Sequence, residues 1–383
     1  MTPFTFNTTS SITFGAGALG NLGSLAKAHI PGRALIVTDP GILKTGILAR
    51  TLAILEAAGV EATVFSDVVA DPPIDTIARA TEVALGAAGV IGLGGGSSLD
   101  TAKLVALLAV GKEKLADVFG VGNARGPRLP LILIPTTAGT GSEVTPISIV
   151  TTGENEKMGV VSPVILPDVA LLDPELTLGL PAPVTAATGI DAMVHAIEAF
   201  ASASPNNNPL SRALAKQALT LLGGAILKAV RNGGDITARA HMLLGSMLAG
   251  QAFANSPVAA VHALAYPLGG HFHIPHGLSN ALVLAHVLRF NVVTAPGVYA
   301  DIAPHAFPEL AAQQGQARAA AFCDALQNLS RRCGLPQRLR DAGVPEDILP
   351  RLASDAMNQK RLLVNNPRPL TEPDALEIYR RAW

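Results

Sequence analysis

Asp191 and His195 stand four residues apart in Thr188-Gly-Ile-Asp-Ala-Met-Val-His-Ala-Ile-Glu-Ala-Phe200, an apolar run with helical period. On a helix, positions i and i+4 share a face, so a carboxylate oxygen and an imidazole nitrogen can converge on one point, as a divalent cation requires. His262 and His276 follow downstream. Three ring nitrogens with one carboxylate oxygen suit Fe2+ or Zn2+ and are too nitrogen-rich for Mg2+ or Ca2+. Spacing chooses neither the metal nor the ligands: Glu198 shares the His195 face at i+3, and His271 and His273 lie in the same Gly269-Gly-His-Phe-His-Ile-Pro-His276 stretch.

Two glycine-rich turns compete for a phosphate-binding role. Gly15, Gly17 and Gly20 spell a literal G-x-G-x-x-G, with Asp39 nineteen residues beyond the last glycine. That is the dinucleotide fingerprint on paper. The segment before it, Asn7-Thr-Thr-Ser-Ser-Ile-Thr-Phe14, is too polar for the buried first strand such a site needs. The stronger candidate is Gly92-Leu-Gly-Gly-Gly-Ser-Ser-Leu-Asp-Thr-Ala-Lys103, which follows an apolar strand and opens a helix. Without side chains in the way, backbone amides approach phosphate oxygens, and the helix dipole adds favourable potential. A second polar loop, Pro135-Thr-Thr-Ala-Gly-Thr-Gly-Ser-Glu143, leaves the end of another expected strand, the sheet edge where open α/β sheets bind ligands.

The elements that must position these groups fall into two halves. Apolar runs at Ser11 to Gly15, Arg33 to Asp39, Glu61 to Val68, Gly89 to Gly94 and Leu129 to Thr136 alternate with helix-period segments at 43–58, 74–87 and 98–110. Short apolar strands between amphipathic helices predict a parallel sheet covered on both faces. Residues 148–173 carry a polar turn between β-prone runs and predict a hairpin appended to that sheet. Beyond Leu178 the β signal fades, and Ala/Leu-rich helices are expected at 185–203, 209–231, 236–254, 257–268, 277–290 and 316–333. Ser256-Pro257 reads as a helix start and Gly269-Gly270 as a stop. The expectation is an α/β dinucleotide-binding domain over 1–178 and an all-helical metal and substrate domain over 179–383.

Composition narrows the partners. With 383 residues, 49% hydrophobic, 15% charged and a net charge of −1, the chain should bury a large core and carries no basic block for nucleic acid or anionic membrane. The first basic residue is Lys27, and no uninterrupted apolar run reaches spanning length, so a soluble, cytoplasmic protein is expected. The low charge and abundant Ala and Leu point to a homodimer or higher oligomer. Cys323 and Cys333 lie on one helical stretch, roughly 15 Å apart, too far for a disulfide.

The glycine loop Gly94–Lys103, the loop Pro135–Glu143, Gly189-Ile-Asp-Ala-Met-Val-His195 and the His262 to His276 segment occur in an order that resembles the iron-containing (group III) alcohol dehydrogenases. The resemblance spans essentially the whole chain. It implies metal ligands Asp191, His195, His262 and His276, and pyrophosphate contacts at Gly95, Gly96 and Ser97. Thr136, Thr137, Ser142, Lys157 and Asp100 complete the implied cofactor set. Asp39 falls where the family places a residue beside the adenosine ribose; a carboxylate there favours NAD over NADP. The implied reaction is metal-assisted hydride transfer between NAD(H) and a small primary alcohol or aldehyde, with Fe2+ or alternatively Zn2+.

One departure stands out in His262-Ala-Leu-Ala-Tyr266, where many relatives carry a second histidine at the fifth position. A phenol, with its pKa near 10, is a poorer base than imidazole. Tyr266, His271 and His273 are therefore the candidates for proton handling. Two other readings are a hydroxyacid-oxoacid transhydrogenase that keeps NAD bound, which some relatives with a sequence like Ala265-Tyr-Pro267 represent, and a catalytically silent metal-binding protein.

Overall fold

The structure is a computed structural model that describes residues 3–153 and 157–383. The chain separates into two compact units, Asn7–Gly179 and Leu180–Trp383, the latter joined by Met1–Phe6. The amino-terminal segment thus groups with the second unit rather than the first, held by the Asn206 side chain: its oxygen accepts from the Thr5 amide at 2.9 Å and its nitrogen donates to the Thr5 carbonyl at 2.9 Å.

Among the described residues the first unit carries nine strands: β1 (Ser11–Phe14), β2 (Ala34–Val37), β3 (Ala62–Phe65), β4 (Gly89–Gly94), β5 (Gly120–Val121), β6 (Leu131–Pro135), β7 (Ile147–Thr151), β8 (Lys157–Val161) and β9 (Val169–Leu172). Six form an all-parallel sheet in the order β1-β9-β6-β4-β2-β3. β2, β4, β6 and β9 are buried along their whole length, as continuously apolar strands covered on both faces must be. β1 is mostly exposed and lies at the edge, which explains its polar sequence.

The expectation for residues 148–173 is corrected. The hairpin β7–β8 forms, but it belongs to a separate three-stranded sheet with β5 and is not appended to the parallel sheet; its turn, residues 154–156, lies outside the described residues. The parallel sheet instead gains β9, whose four apolar residues Val169-Ala-Leu-Leu172 lack any flanking periodicity.

Chain order along the parallel sheet reverses between β2 and β4, since β2 leads outward to β3 and β4 leads the other way to β6 and β9. The crevice beyond the carboxyl ends of those two strands is the place where open α/β sheets take ligands. Asp39 follows β2, the Gly95 turn follows β4, and the Thr136 loop follows β6.

The second unit is helical: Ala182–Ala201, Pro209–Arg231, Ile236–Asn255, Ala260–Phe272, His276–Val292, Pro296–Ala306, Gly315–Arg332, Leu349–Ala356 and Glu372–Ala382 are its principal helices. Pro209–Arg231 is long and apolar enough to cross a membrane by length and composition, and it packs between Ala182–Ala201 and Ile236–Asn255. The expected start at Ser256-Pro257 is corrected to Ala260: Ser256 closes the preceding helix, and its hydroxyl donates to the Ala199 carbonyl at 2.7 Å. Nor does the helix stop at Gly269-Gly270. It runs on to Phe272 and ends at His273, which takes the left-handed conformation (φ 53°) otherwise favoured by glycine.

Candidate metal and cofactor sites

In the helical unit, Ala182–Ala201 carries Asp191 and His195 on one face, Ala260–Phe272 carries His262, and His276 opens the next helix. One potential ligand atom from each lies within 4.8 Å of the others. Asp191, His195 and His262 are buried and His276 is half-buried. The close approach depends on Gly277, where a Cβ would stand 2.5 Å from the Ala187 carbonyl oxygen and 3.2 Å from the Asp191 Cβ. Any larger residue would push His276 away from Asp191.

Packing fixes the rings. His195 stacks on Phe253 with centroids 4.3 Å apart and on His262 at 4.8 Å. His262 Nδ1 lies 2.6 Å from Glu198 Oε2, while Glu198 Oε1 accepts from the Val261 amide at 2.6 Å. Glu198 therefore stands behind His262 and not among the four clustered residues. With its Nδ1–H given to this carboxylate, His262 presents the Nε2 lone pair to the cluster, which is the tautomer a cation needs. Burial alone would raise the Asp191 carboxyl, but the facing rings of His195, His276 and His262 and the Asn280 amide outweigh it and hold the group below its ordinary value. Three imidazoles and a carboxylate so arranged fit Fe2+ or Zn2+.

The three candidates for proton handling separate. Tyr266 is half-buried and its ring faces His276 at 5.8 Å. His271 follows His262 by nine residues, about 180° around a helix, so it points to the opposite side. There its Nε2 lies 2.7 Å from Asp355 Oδ2. His273 sits exposed at the helix end. Neither belongs to the ligand cluster.

In the α/β unit the two polar loops meet because β4 and β6 are neighbours, with Gly94 opposite Pro135. Gly95 precedes the helix Gly96–Leu108, and a Cβ on Gly96 would fall 2.7 Å from Thr140 Cγ2. Thr137 faces Gly95, whose added Cβ would come 3.5 Å from Thr137 Cγ2. Thr136 is buried, and its amide donates to the Gly94 carbonyl at 2.9 Å. Among the described residues no side chain accepts from the amides of Gly95, Gly96 or Ser97.

Asp100 and Ser142 serve a buried network. Ser142 Oγ donates to Asp100 Oδ1 at 2.5 Å, the other Asp100 oxygen accepts from the Ile149 amide at 3.0 Å, and Lys103 Nζ donates to Ser142 Oγ at 2.8 Å and to the Ile147 carbonyl at 2.7 Å. Lys103 is fully buried; desolvation lowers its pKa and Asp100 opposes that shift. Nothing in the twelve residues Gly92–Lys103 announced that the lysine on the helix would be buried and would bolt the turn to the next loop.

Lys157 Nζ pairs with Asp71 Oδ1 at 2.6 Å, and the Asp71 amide donates to Ser97 Oγ at 3.3 Å, which sets Lys157 close to the glycine turn. Asp39 accepts from the amides of Gly41 and Ile42 and from Ser98 Oγ at 3.0 Å. It caps a short helix and touches the glycine turn with the same carboxylate.

The literal fingerprint has another occupant. The amides of Gly17 and Leu19 donate to Asp173 at 3.1 and 3.0 Å. This turn binds a carboxylate from its own chain, and it follows the edge strand, far from the crevice between β2 and β4.

Sequence comparison agrees with the geometry in both units. Residues 9–174 match the family model for iron-containing alcohol dehydrogenase, and residues 185–383 match the carboxyl-terminal model of the Fe-containing alcohol dehydrogenase family. Long-chain-alcohol dehydrogenase 1 of Geobacillus thermodenitrificans (strain NG80-2) is 43% identical over 96% of this chain and 94% of its own length. A crystal structure of 1,3-propanediol oxidoreductase superposes with a TM-score of 0.95 at 35% identity, covering all of both chains. The sulfoacetaldehyde reductase of Bifidobacterium kashiwanohense, solved in complex with NAD+, superposes at 0.88 with 29% identity, over 100% of this chain and 99% of that one. Full-length likeness of this degree, together with matches in both units, means that the chain belongs to the iron-containing alcohol dehydrogenase family and is an NAD-linked oxidoreductase that interconverts alcohols and aldehydes.

Proposed function

We propose that Asp191, His195, His262 and His276 hold one Fe2+, with Zn2+ as the alternative occupant, and that the turn at Gly95, Gly96 and Ser97 takes the pyrophosphate of NAD(H). The observation that carries the reading is the convergence of four ligand atoms within 4.8 Å from three helices. When bound, the cation supplies Lewis acidity toward the substrate oxygen, and the nicotinamide supplies or accepts the hydride.

The chain's own residues have separable tasks. Glu198 holds His262 in the ligating tautomer. Phe253 and Tyr266 put aromatic surface beside His195 and His276, which favours a small, uncharged primary alcohol or aldehyde. Tyr266 serves as a hydrogen-bond donor near the substrate, since its phenol is a weak base at neutral pH. Thr136, Thr137 and Lys157 contact the cofactor, while Asp100 and Ser142 keep the two loops in register. Asp39 selects NAD, because its carboxylate repels a 2′-phosphate. A soluble cytoplasmic homo-oligomer fits the near-neutral charge and the abundant Ala and Leu.

The test is reconstitution. The metal-stripped protein should reduce short aldehydes with NADH only after Fe2+ or Zn2+ is restored, at one ion per chain by elemental analysis. Full activity in the stripped protein would overturn the proposal.

A further inference from the structure

We infer that Asn280 is the positioning residue of the metal centre: its side-chain amide orients the Asp191 carboxylate and holds the histidine lone pairs together before an ion arrives. This rests on the metal-site reading above.

Asn280 lies four residues after His276 on the same helix, so both side chains face the cluster. It is fully buried. Its Nδ2 donates to Asp191 Oδ1 at 2.6 Å and stands 3.3 Å from His262 Nε2 and 3.2 Å from His276 Nε2. One nitrogen with two hydrogens is thus shared among three of the four ligand residues. These are the same lone pairs a cation would claim, and the amide hydrogens stand in for its positive charge.

The other end of the side chain is equally informative. Among the described residues, none offers a hydrogen-bond partner to the buried Asn280 Oδ1. Leaving a buried carbonyl oxygen unsatisfied is costly, and turning the amide over would not help, because Oδ1 would then face the Asp191 carboxylate at contact distance. The orientation is fixed by the ligand set alone. Asp191 needs such a partner. Its carboxylate is buried, and the Asn280 amide donates to Oδ1 at 2.6 Å. The contacts to the two Nε2 atoms give way when an ion takes those lone pairs, and the hydrogen bond to Asp191 Oδ1 is the one that persists; a partner that orients a ligating carboxylate in this way typically contributes roughly 10–100-fold to metal affinity.

The experiment compares the full-length protein with Asn280→Ala and with Asn280→Leu, which keeps the volume but has no donor. Zn2+ affinity is measured by chelator competition, and the Co2+-substituted proteins are compared by visible absorption. The expected result is Zn2+ affinity weakened roughly 10–100-fold in both variants, with an altered Co2+ spectrum and helical circular dichroism like the parent's. Affinity within about twofold of the parent in either folded variant, with an unchanged Co2+ spectrum, would overturn the inference. Variants that fail to fold both with and without Zn2+ would make Asn280 a determinant of the fold and overturn it as well. If the parent itself binds no ion at this site, the metal-site reading is what fails.

Discussion

Two turns of the α/β unit share a glycine-rich backbone after a parallel strand, yet different groups answer their amides. At Gly15–Gly20 the donors of Gly17 and Leu19 are taken by Asp173, a fully buried carboxylate from the end of β9. At Gly94–Ser97 no described side chain fills that place, and Asp39, Thr137 and Thr140 surround the turn. A turn of backbone amides is a general anion cradle. What it binds depends on where the sheet puts it: beside β9 the chain supplies its own anion, whereas at the reversal between β2 and β4 the cradle faces the crevice.

The sharpest way to break this comparison is Gly96→Val. The added side chain collides with Thr140, and NADH affinity should fall at least roughly 1,000-fold, about 4 kcal/mol, by fluorescence titration. Metal content should stay at the parent value. Retained NADH binding would mean that the turn at Gly96 is not the phosphate cradle.

Asp173→Ala should do the reverse. Three amides, those of Gly17, Leu19 and Glu175, lose a charged acceptor, so stability should drop by about 3 kcal/mol in urea unfolding while NADH affinity stays within about twofold. A large loss of NADH affinity with unchanged stability would show that the first turn binds cofactor after all.

Glu143 ends the second polar loop, and burial pushes its carboxyl up from 4.5 to about 7, with Lys103 pulling the other way. A raised folded-state pKa means that the neutral form is favoured in the fold. The group's stabilising contribution is complete below about pH 4.5 and is lost as pH rises through about 7. Glu143→Gln should therefore gain on the parent between pH 5 and pH 8, by about 2 kcal/mol in paired unfolding curves. An equal difference at both pH values would show that Glu143 does not titrate in this range.

The smallest effect concerns the cofactor's ribose. Asp39→Ser keeps an oxygen to cap Gly41 and Ile42 but removes the charge. The ratio of kcat/KM for NADPH over NADH should rise roughly tenfold. An unchanged ratio would confine Asp39 to capping.

Much of this was legible because the signals are local. Continuous apolar runs identified β2, β4 and β6, and helical period identified Ala182–Ala201 and its successors to within a few residues. The i, i+4 spacing placed Asp191 and His195 on one face before any fold was known. β9 was missed because four apolar residues carry no period, and the helices Pro296–Ala306, Leu349–Ala356 and Glu372–Ala382 because they are short and interrupted by polar residues or proline. His271 and His273 competed with Tyr266 on proximity in sequence, and only the continuation of their helix to Phe272 separates them.

The sequence by itself supplied imidazoles and carboxylates at helical spacing, Asp191 with His195 foremost, and two amide-rich turns, since both follow from residue type and short spacing, while the choice of His262 and His276 over His271, His273 and Glu198 came from the family resemblance. The tertiary structure decided which turn was already occupied, which histidine faced away, and that Asn280, Glu198 and Lys103 stand behind Asp191, His262 and Ser142. Those facts depend on contacts such as Gly17 with Asp173 or Asp191 with Asn280, between residues far apart along the chain, and local periodicity carries no information about such pairs.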